Sequence, residues 1–241
     1  QKFLIWLGVA SIPVMLLLAG TSFMTTTIAP VPFLWIGPLA LYLLSFILSF
    51  RSGERTPIWF NEVCVVLSVM LSLILVVFSV PNVFITIIAI HFTLFAIFHW
   101  CHEYLYFVRP SPKHLTLFYV ALSLGGILGS LIIKISSQYL LTLPIELTII
   151  LVLSLTYISY RWFLAPSLYL PVLNQTKLRI ATGLILITVI STGATQIYKQ
   201  QQKIVAQERN FFGYKAVVVD KRADVEMWAM QHGKTNHGYQ I

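Results

Sequence analysis

The chain has 241 residues, of which 58% are hydrophobic and 10% charged, and its mean hydropathy is +0.83. An average soluble domain carries about a quarter of charged residues, so these figures exclude both an ordinary soluble enzyme and a disordered chain. Since roughly 20 apolar residues cross a bilayer as a helix, the composition describes an integral membrane protein.

Basic residues outnumber acidic ones, 16 to 8, for a formal charge of +8 and a pI near 9.6. In a soluble domain that excess points to nucleic acid. Here the basic residues sit in short connections between apolar runs, where the positive-inside rule and phospholipid head groups place them. The expected partner is therefore the lipid bilayer, and nucleic acid is not expected. Cys64 and Cys101 both lie in apolar runs, which excludes a disulfide framework and a four-cysteine zinc site. No small-residue cleavage site follows the first apolar run, and the chain, beginning at Gln1, is expected to be a piece of a longer polypeptide.

In chain order, hydropathy and Pro, Gly and charge punctuation predict seven transmembrane helices, over about 3–20, 33–50, 58–80, 83–106, 115–135, 145–164 and 178–198. The uncharged segment 21–32, rich in Thr and Pro, reads as an interfacial loop. The connections at Pro81-Asn82 and Thr142-Leu143-Pro144 are short enough to force antiparallel neighbours. Lys2, Arg51, Arg55, Arg109, Lys113, Arg161, Lys177 and Arg179 fall on one side, which is expected to be cytoplasmic; Lys134, Lys199, Lys203 and Arg209 fall on the other. The carboxyl tail is then extracytoplasmic.

The composition changes at Tyr198, dividing the chain into a transmembrane helical domain, 1–198, and a tail, 199–241. The tail reads as a polar linker followed by a β-hairpin, with Val217 to Val219 and Val225 to Met230 as strands around Asp220-Lys221-Arg222. The fold class is thus an all-α membrane protein followed by a short extramembrane β-hairpin. An isolated hairpin is marginal in water, so the tail is expected to open a soluble domain or to pair with another chain.

Few residues carry chemistry. The fourth span ends in His99, Cys101, His102 and Glu103, and on a helix His99 lies one turn from both His102 and Glu103. That spacing is within reach of a metal, and a histidine in a span could ligate a haem. Arg109 and Lys113 nevertheless place the cluster at the interface with Trp100, Tyr104 and Tyr106, so an aromatic belt is the preferred reading and no metal is assigned. His91, nearer mid-span, reads as a buried hydrogen-bonding residue. Glu62, Lys134 and Glu146 lie close to span ends, so no mid-membrane carboxylate path for ions is expected. Gly125, Gly126 and Gly129 in SLGGILGS contain a G-x-x-x-G pair, which suits close helix packing in lipid; with no preceding strand they do not form a nucleotide loop. In the tail, Gln231, His232 and His237 sit in a polar run that could hydrogen-bond a small polar ligand, although a solvated turn is the preferred reading.

The blocks IAPVPFLWIGPLALYLLSFILSF, CHEYLYFVRPSPKHLTLFYVALSLGGILGS, RNFFGYKAVVVD and HGKTNHGYQ resemble, in order and spacing, successive blocks of the bacterial fused MFS-type/spermidine synthase-like membrane proteins. The resemblance implies the second membrane half of such a protein plus the start of its spermidine-synthase-like domain, in a bacterial inner membrane. Lys234 replaces a small Thr-like residue, and Cys101-His102-Glu103-Tyr104 replaces a C-H-G-E pattern, losing the glycine and shifting the acid. By analogy with spermidine synthases, Gln231 and His237 carry over as residues near a polyamine site. The Gly-rich loop after a strand, the acidic ribose ligand and the Asp base of such an enzyme have no counterpart in the sequence. The chain is therefore expected to bind no cofactor and to be non-catalytic, a structural or accessory membrane subunit contacting other transmembrane helices. The alternative is the membrane domain of a polyamine-related aminopropyltransferase or transporter whose catalytic half lies beyond Ile241.

Overall fold

The computed structural model describes residues 2–28, 33–51, 56–77, 82–164, 201–210, 213–222, 225–232 and 235–240, together with 180, 183, 184, 187, 190, 191, 193–195, 197 and 198. Six long helices come first: α1 (Lys2–Phe23), α2 (Phe33–Arg51), α3 (Ile58–Val77), α4 (Val83–Phe107), α5 (Leu115–Ile135) and α6 (Glu146–Leu164). Among the described residues five helices, α1 to α5, are long and apolar enough to cross a membrane. Of the 21 residues of the expected span 178–198, 11 are described and 10 lie outside the described residues; those described are helical, with Ile180, Leu184, Ile187 and Ile190 exposed.

Large apolar side chains lie on both the inside and the outside of the bundle. Leu16, Leu73, Ile90, Leu94, Phe98, Leu151 and Leu155 form its core, while Leu67, Phe84, Ile88 and Leu153 are more than 60% exposed. An apolar outer surface of this kind is at home in hydrocarbon and would aggregate in water. α4 packs against α1, α2 and α3, and its first turn is capped by Asn82, whose side chain accepts from the Ile85 amide at 3.1 Å. Polar groups inside the spans are satisfied locally or across helices: Ser72 Oγ lies 2.8 Å from Thr93 Oγ1, and Thr93 donates to the Ser68 and Ala89 carbonyls, both at 2.9 Å.

α1 and α5 run parallel and approach closely along a glycine face. A Cβ at Gly125 would stand 2.6 Å from the Leu7 carbonyl oxygen, and one at Gly129 would stand 2.6 Å from that of Ser11. Gly126 is different, for its Cβ would meet only Val14 at an ordinary 3.8 Å. Gly37 plays the same part between α2 and α4, where a Cβ would collide with the His91 ring.

The tail is a four-stranded antiparallel meander in the order β1-β2-β3-β4, formed by β1 (Ile204–Asn210), β2 (Gly213–Arg222), β3 (Val225–His232) and β4 (Thr235–Gln240). The β2-β3 pair is the expected hairpin, longer at both ends. β1 occupies what reads as the polar linker, and β4 what reads as a solvated turn. Both are edge strands held by backbone pairing with one neighbour, which asks little of their side chains. Tyr214, Ala216 and Ala229 are buried on one face, and Tyr214 and Ala216 pack with Leu143 from the α5–α6 connection. Burial raises the Tyr214 phenol above its usual range, and its hydroxyl donates to Gln207 Oε1 at 3.1 Å.

Gly125→Ala and Gly129→Ala are expected to destabilise the protein by roughly 1–3 kcal/mol each, the usual cost of overpacking. Gly126→Ala should be neutral or stabilising by up to about 1 kcal/mol through helix propensity. Thermal unfolding of the three variants in detergent checks this contrast.

Candidate functional site

Two polar constellations lie at opposite ends of α6. The first gathers where α2 and α4 end and α3 begins. Glu103 on α4 accepts from Thr56 Oγ1 and Asn61 Nδ2, and Asn61 Nδ2 also donates to Thr56 Oγ1 at 2.9 Å. His99, one turn back, places Nε2 3.4 Å from Glu103 Oε1 and Nδ1 3.0 Å from Ser49 Oγ on α2. Beside this chain, Glu62 on α3 is fully buried and pairs with Arg161 on α6 at 2.9 Å. The Arg161 guanidinium also lies 6.0 Å from the Trp100 ring centroid, at the outer limit of cation–π attraction.

His102 does not join His99 and Glu103. Its ring turns to α2, with Nδ1 2.9 Å from Ser45 Oγ, and meets the Tyr42 and Phe46 rings edge to face at 5.1 and 5.2 Å. Among the described residues no three His, Cys, Asp or Glu side chains converge as metal ligands. His91 points its Nδ1 at the Ile87 carbonyl of its own helix, at 2.8 Å.

The second constellation joins the sheet to the bundle. Arg209 of β1 reaches Glu146 in the first turn of α6 at 2.6 Å, and its Nη1 donates to the Leu143 and Leu141 carbonyls at 2.8 and 3.3 Å. Glu146 is 5% exposed. Its Oε1 and that of Glu62 are in no aligned hydrogen bond, so each of those contacts acts as charge against charge. Both carboxylates lie close to helix starts, as read from the sequence, and the structure shows that both are buried there. The physical reason is the arginine opposite each, without which a buried carboxylate is strongly penalised.

Of the tail candidates, Gln231 is half-buried on the strand face that carries Ala229, and it stands opposite Ala216 of β2 and Asn236 of β4. His237 is exposed at the β3–β4 register shift. His232 stands opposite Lys215 and Thr235, and its side chain lies outside the description. Gly125 and Gly129 face α1.

Reading the sequence misses Arg161, Arg209, Asn61, Ser45 and Ser49 as partners. One signal was there to find. Glu62 is near the start of α3 and Arg161 near the end of α6, so in antiparallel helices they share one depth. Arg209 offers no such signal, because its strand is hidden in polar composition.

Arg161→Met should remove the cation that faces the buried Glu62 carboxylate, a loss of roughly 3–5 kcal/mol. The double variant Glu62→Leu/Arg161→Met should recover most of it, which unfolding of the three proteins in detergent reads directly.

No protein-family model matches the chain, and no curated protein or solved structure matches it either.

Proposed function

We propose that the chain is a non-catalytic structural or accessory membrane subunit, similar to the membrane part of the fused MFS-type/spermidine synthase-like proteins. Its helical bundle holds a small sheet at the membrane surface. The observation that carries this reading is the seating of Arg209 on Glu146 and on two carbonyls of the α5–α6 connection. A sheet held at one buried point, with Trp228 and Met230 exposed, is built to present a surface in fixed relation to the bilayer. The described carboxylates of the membrane part, Glu62, Glu103 and Glu146, are engaged with arginine, asparagine and threonine, which is how such groups serve architecture.

In this reading the chain crosses a bacterial inner membrane seven times. Arg161 and Arg209 seat at opposite ends of α6, a helix of 19 residues, so an odd number of crossings between them fits. Lys2, Arg51, Arg109, Lys113 and Arg161 gather at the end away from the sheet, which favours an extracytoplasmic tail.

A second reading makes the chain the membrane domain of a polyamine-related aminopropyltransferase or transporter. The position of Gln231 on the inward strand face, beside buried Ala216 and Ala229, favours it, because a ligand there would lie between sheet and bundle.

Calorimetry of the purified protein with decarboxylated S-adenosylmethionine, methylthioadenosine and putrescine separates the two. The structural reading expects no binding heat, and micromolar binding of any of the three supports the transferase reading instead. For orientation, Lys203→Cys in a background without Cys64 and Cys101 should react with an impermeant maleimide from the extracytoplasmic side; reaction only from the cytoplasm would reverse the topology.

A further inference from the structure

A cavity of about 350 Å³ lies between α2 and α5, backed by α4. Ala10 of α1, Tyr42 and Phe46 of α2, His102 of α4, and Tyr119, Ser123 and Gly126 of α5 are among the residues that line it. Gly126 carries no side chain into it, and a Cβ there would meet only Val14 of α1, at an ordinary 3.8 Å. Ser123 is exposed, so the cavity is open on its α5 side toward lipid. His102 lies roughly 8 Å along the axis from the end of α4, at 1.5 Å per residue, within the depth at which lipid head groups give way to hydrocarbon.

The hydrogen bonds around Ser45 bear on which ring nitrogen of His102 carries the proton. Ser45 Oγ donates its single proton to the Tyr42 carbonyl at 2.8 Å. With that proton so placed, Oγ accepts at 2.9 Å from His102 Nδ1, the assignment in which Nδ1 holds the imidazole proton and Nε2 keeps a lone pair. His102 is 2% exposed, and Nε2 has no hydrogen-bond partner among the described residues. Unlike Glu62 Oε1 and Glu146 Oε1, Nε2 is not sealed from open space, and the cavity is the space that His102 borders. An acyl chain would fill the apolar walls and leave this acceptor desolvated and unpaired, which is costly. An occupant that brings a donor satisfies it.

We propose that this cavity binds the ring of a membrane-soluble phenol or quinol, whose hydroxyl donates to His102 Nε2 and whose tail leaves into the bilayer. Three observations choose a ring over an aliphatic alcohol. The His102 ring meets the Tyr42 and Phe46 rings, both edge to face. Phe46 is itself stacked on Phe50 at 4.4 Å and held in place. A phenolic hydroxyl, with a pKa of about 10, is also a far stronger donor than an alcohol. The volume lies in the range of small-molecule pockets, roughly 300–1,000 Å³, where apolar walls and a few polar groups orient the ligand.

The test is calorimetry of the full chain in phosphatidylcholine nanodiscs with decylhydroquinone, its dimethyl ether and 1-dodecanol. Decylhydroquinone should bind in the micromolar range and at least tenfold more tightly than either comparison compound. Gly126→Leu, which fills the cavity from a helix face with room for it, and His102→Phe, which keeps an aromatic ring but no acceptor, should each weaken binding at least tenfold. If His102→Phe fails to fold, nitrogen-15 NMR of the histidines in the unmodified protein takes its place, and the His102 Nε2 resonance should move on adding decylhydroquinone. Absent binding, equal affinity for the quinol and its ether, undiminished binding by a folded Gly126→Leu variant, or an unmoved Nε2 resonance would each overturn the proposal. Dodecanol binding as tightly as the quinol would overturn the choice of an aromatic ligand.

Discussion

A carboxylate removed from water must have a cation, and the Glu146–Arg209 pair is where this protein meets that demand across two kinds of structure. Glu146 opens α6 and Arg209 belongs to β1, so satisfying the charge requires the sheet to sit on the α5–α6 connection. The arginine also supplies donors to the Leu141 and Leu143 carbonyls, groups left over where the chain leaves one helix and enters the next. One side chain therefore settles three groups at a point where no regular backbone ladder is available. The contact of Leu143 with Tyr214 and Ala216 adds apolar burial around the charge and lowers the local dielectric, which strengthens the pair and raises the penalty for breaking it.

The other end of the bundle obeys the same rule with different parts. Glu62 pairs with Arg161, and Glu103 is shared by Thr56 and Asn61, so α3 is tied to α4 and α6 by polar contacts as well as by core packing. In hydrocarbon there is little hydrophobic force between helices. Such ties, with the close backbone approach at Gly125 and Gly129, therefore do much to specify which helix lies beside which. His102 departs from the pattern, since its second nitrogen has no hydrogen-bond partner among the described residues and its ring borders the cavity.

Much of the architecture was legible in the sequence, because membrane helices need long apolar runs and nothing else in the chain imitates them. Five of the expected spans appear as helices long and apolar enough to cross, and α6 follows at 146–164. The central hairpin was legible from the β-branched run Val217 to Val219. The outer strands were not, because Gln207, Glu208 and Arg209 in β1 and Thr235 to Gly238 in β4 pair through their backbones and give no apolar alternation. The polar partnerships were the least legible. Composition places Glu62 and Glu146 at span ends, but only the packing of α3 on α6, and of β1 on the α5–α6 connection, reveals that they are buried. His99, His102 and Glu103 are neighbours on one helix, yet His102 turns to Ser45 while Glu103 turns to Asn61, a division that helical spacing alone does not reveal.

The central claim is that a buried ion pair fixes the sheet to the membrane bundle. A double-mutant cycle on Glu146→Gln and Arg209→Gln, read as hydrogen-exchange protection of the β1 and β2 amides in the intact protein, tests it most directly. The account predicts that each single variant lowers protection and that the two are coupled by about 1–3 kcal/mol, as for residues in one network. Additivity within about 0.5 kcal/mol, or single variants with unchanged protection, would contradict it.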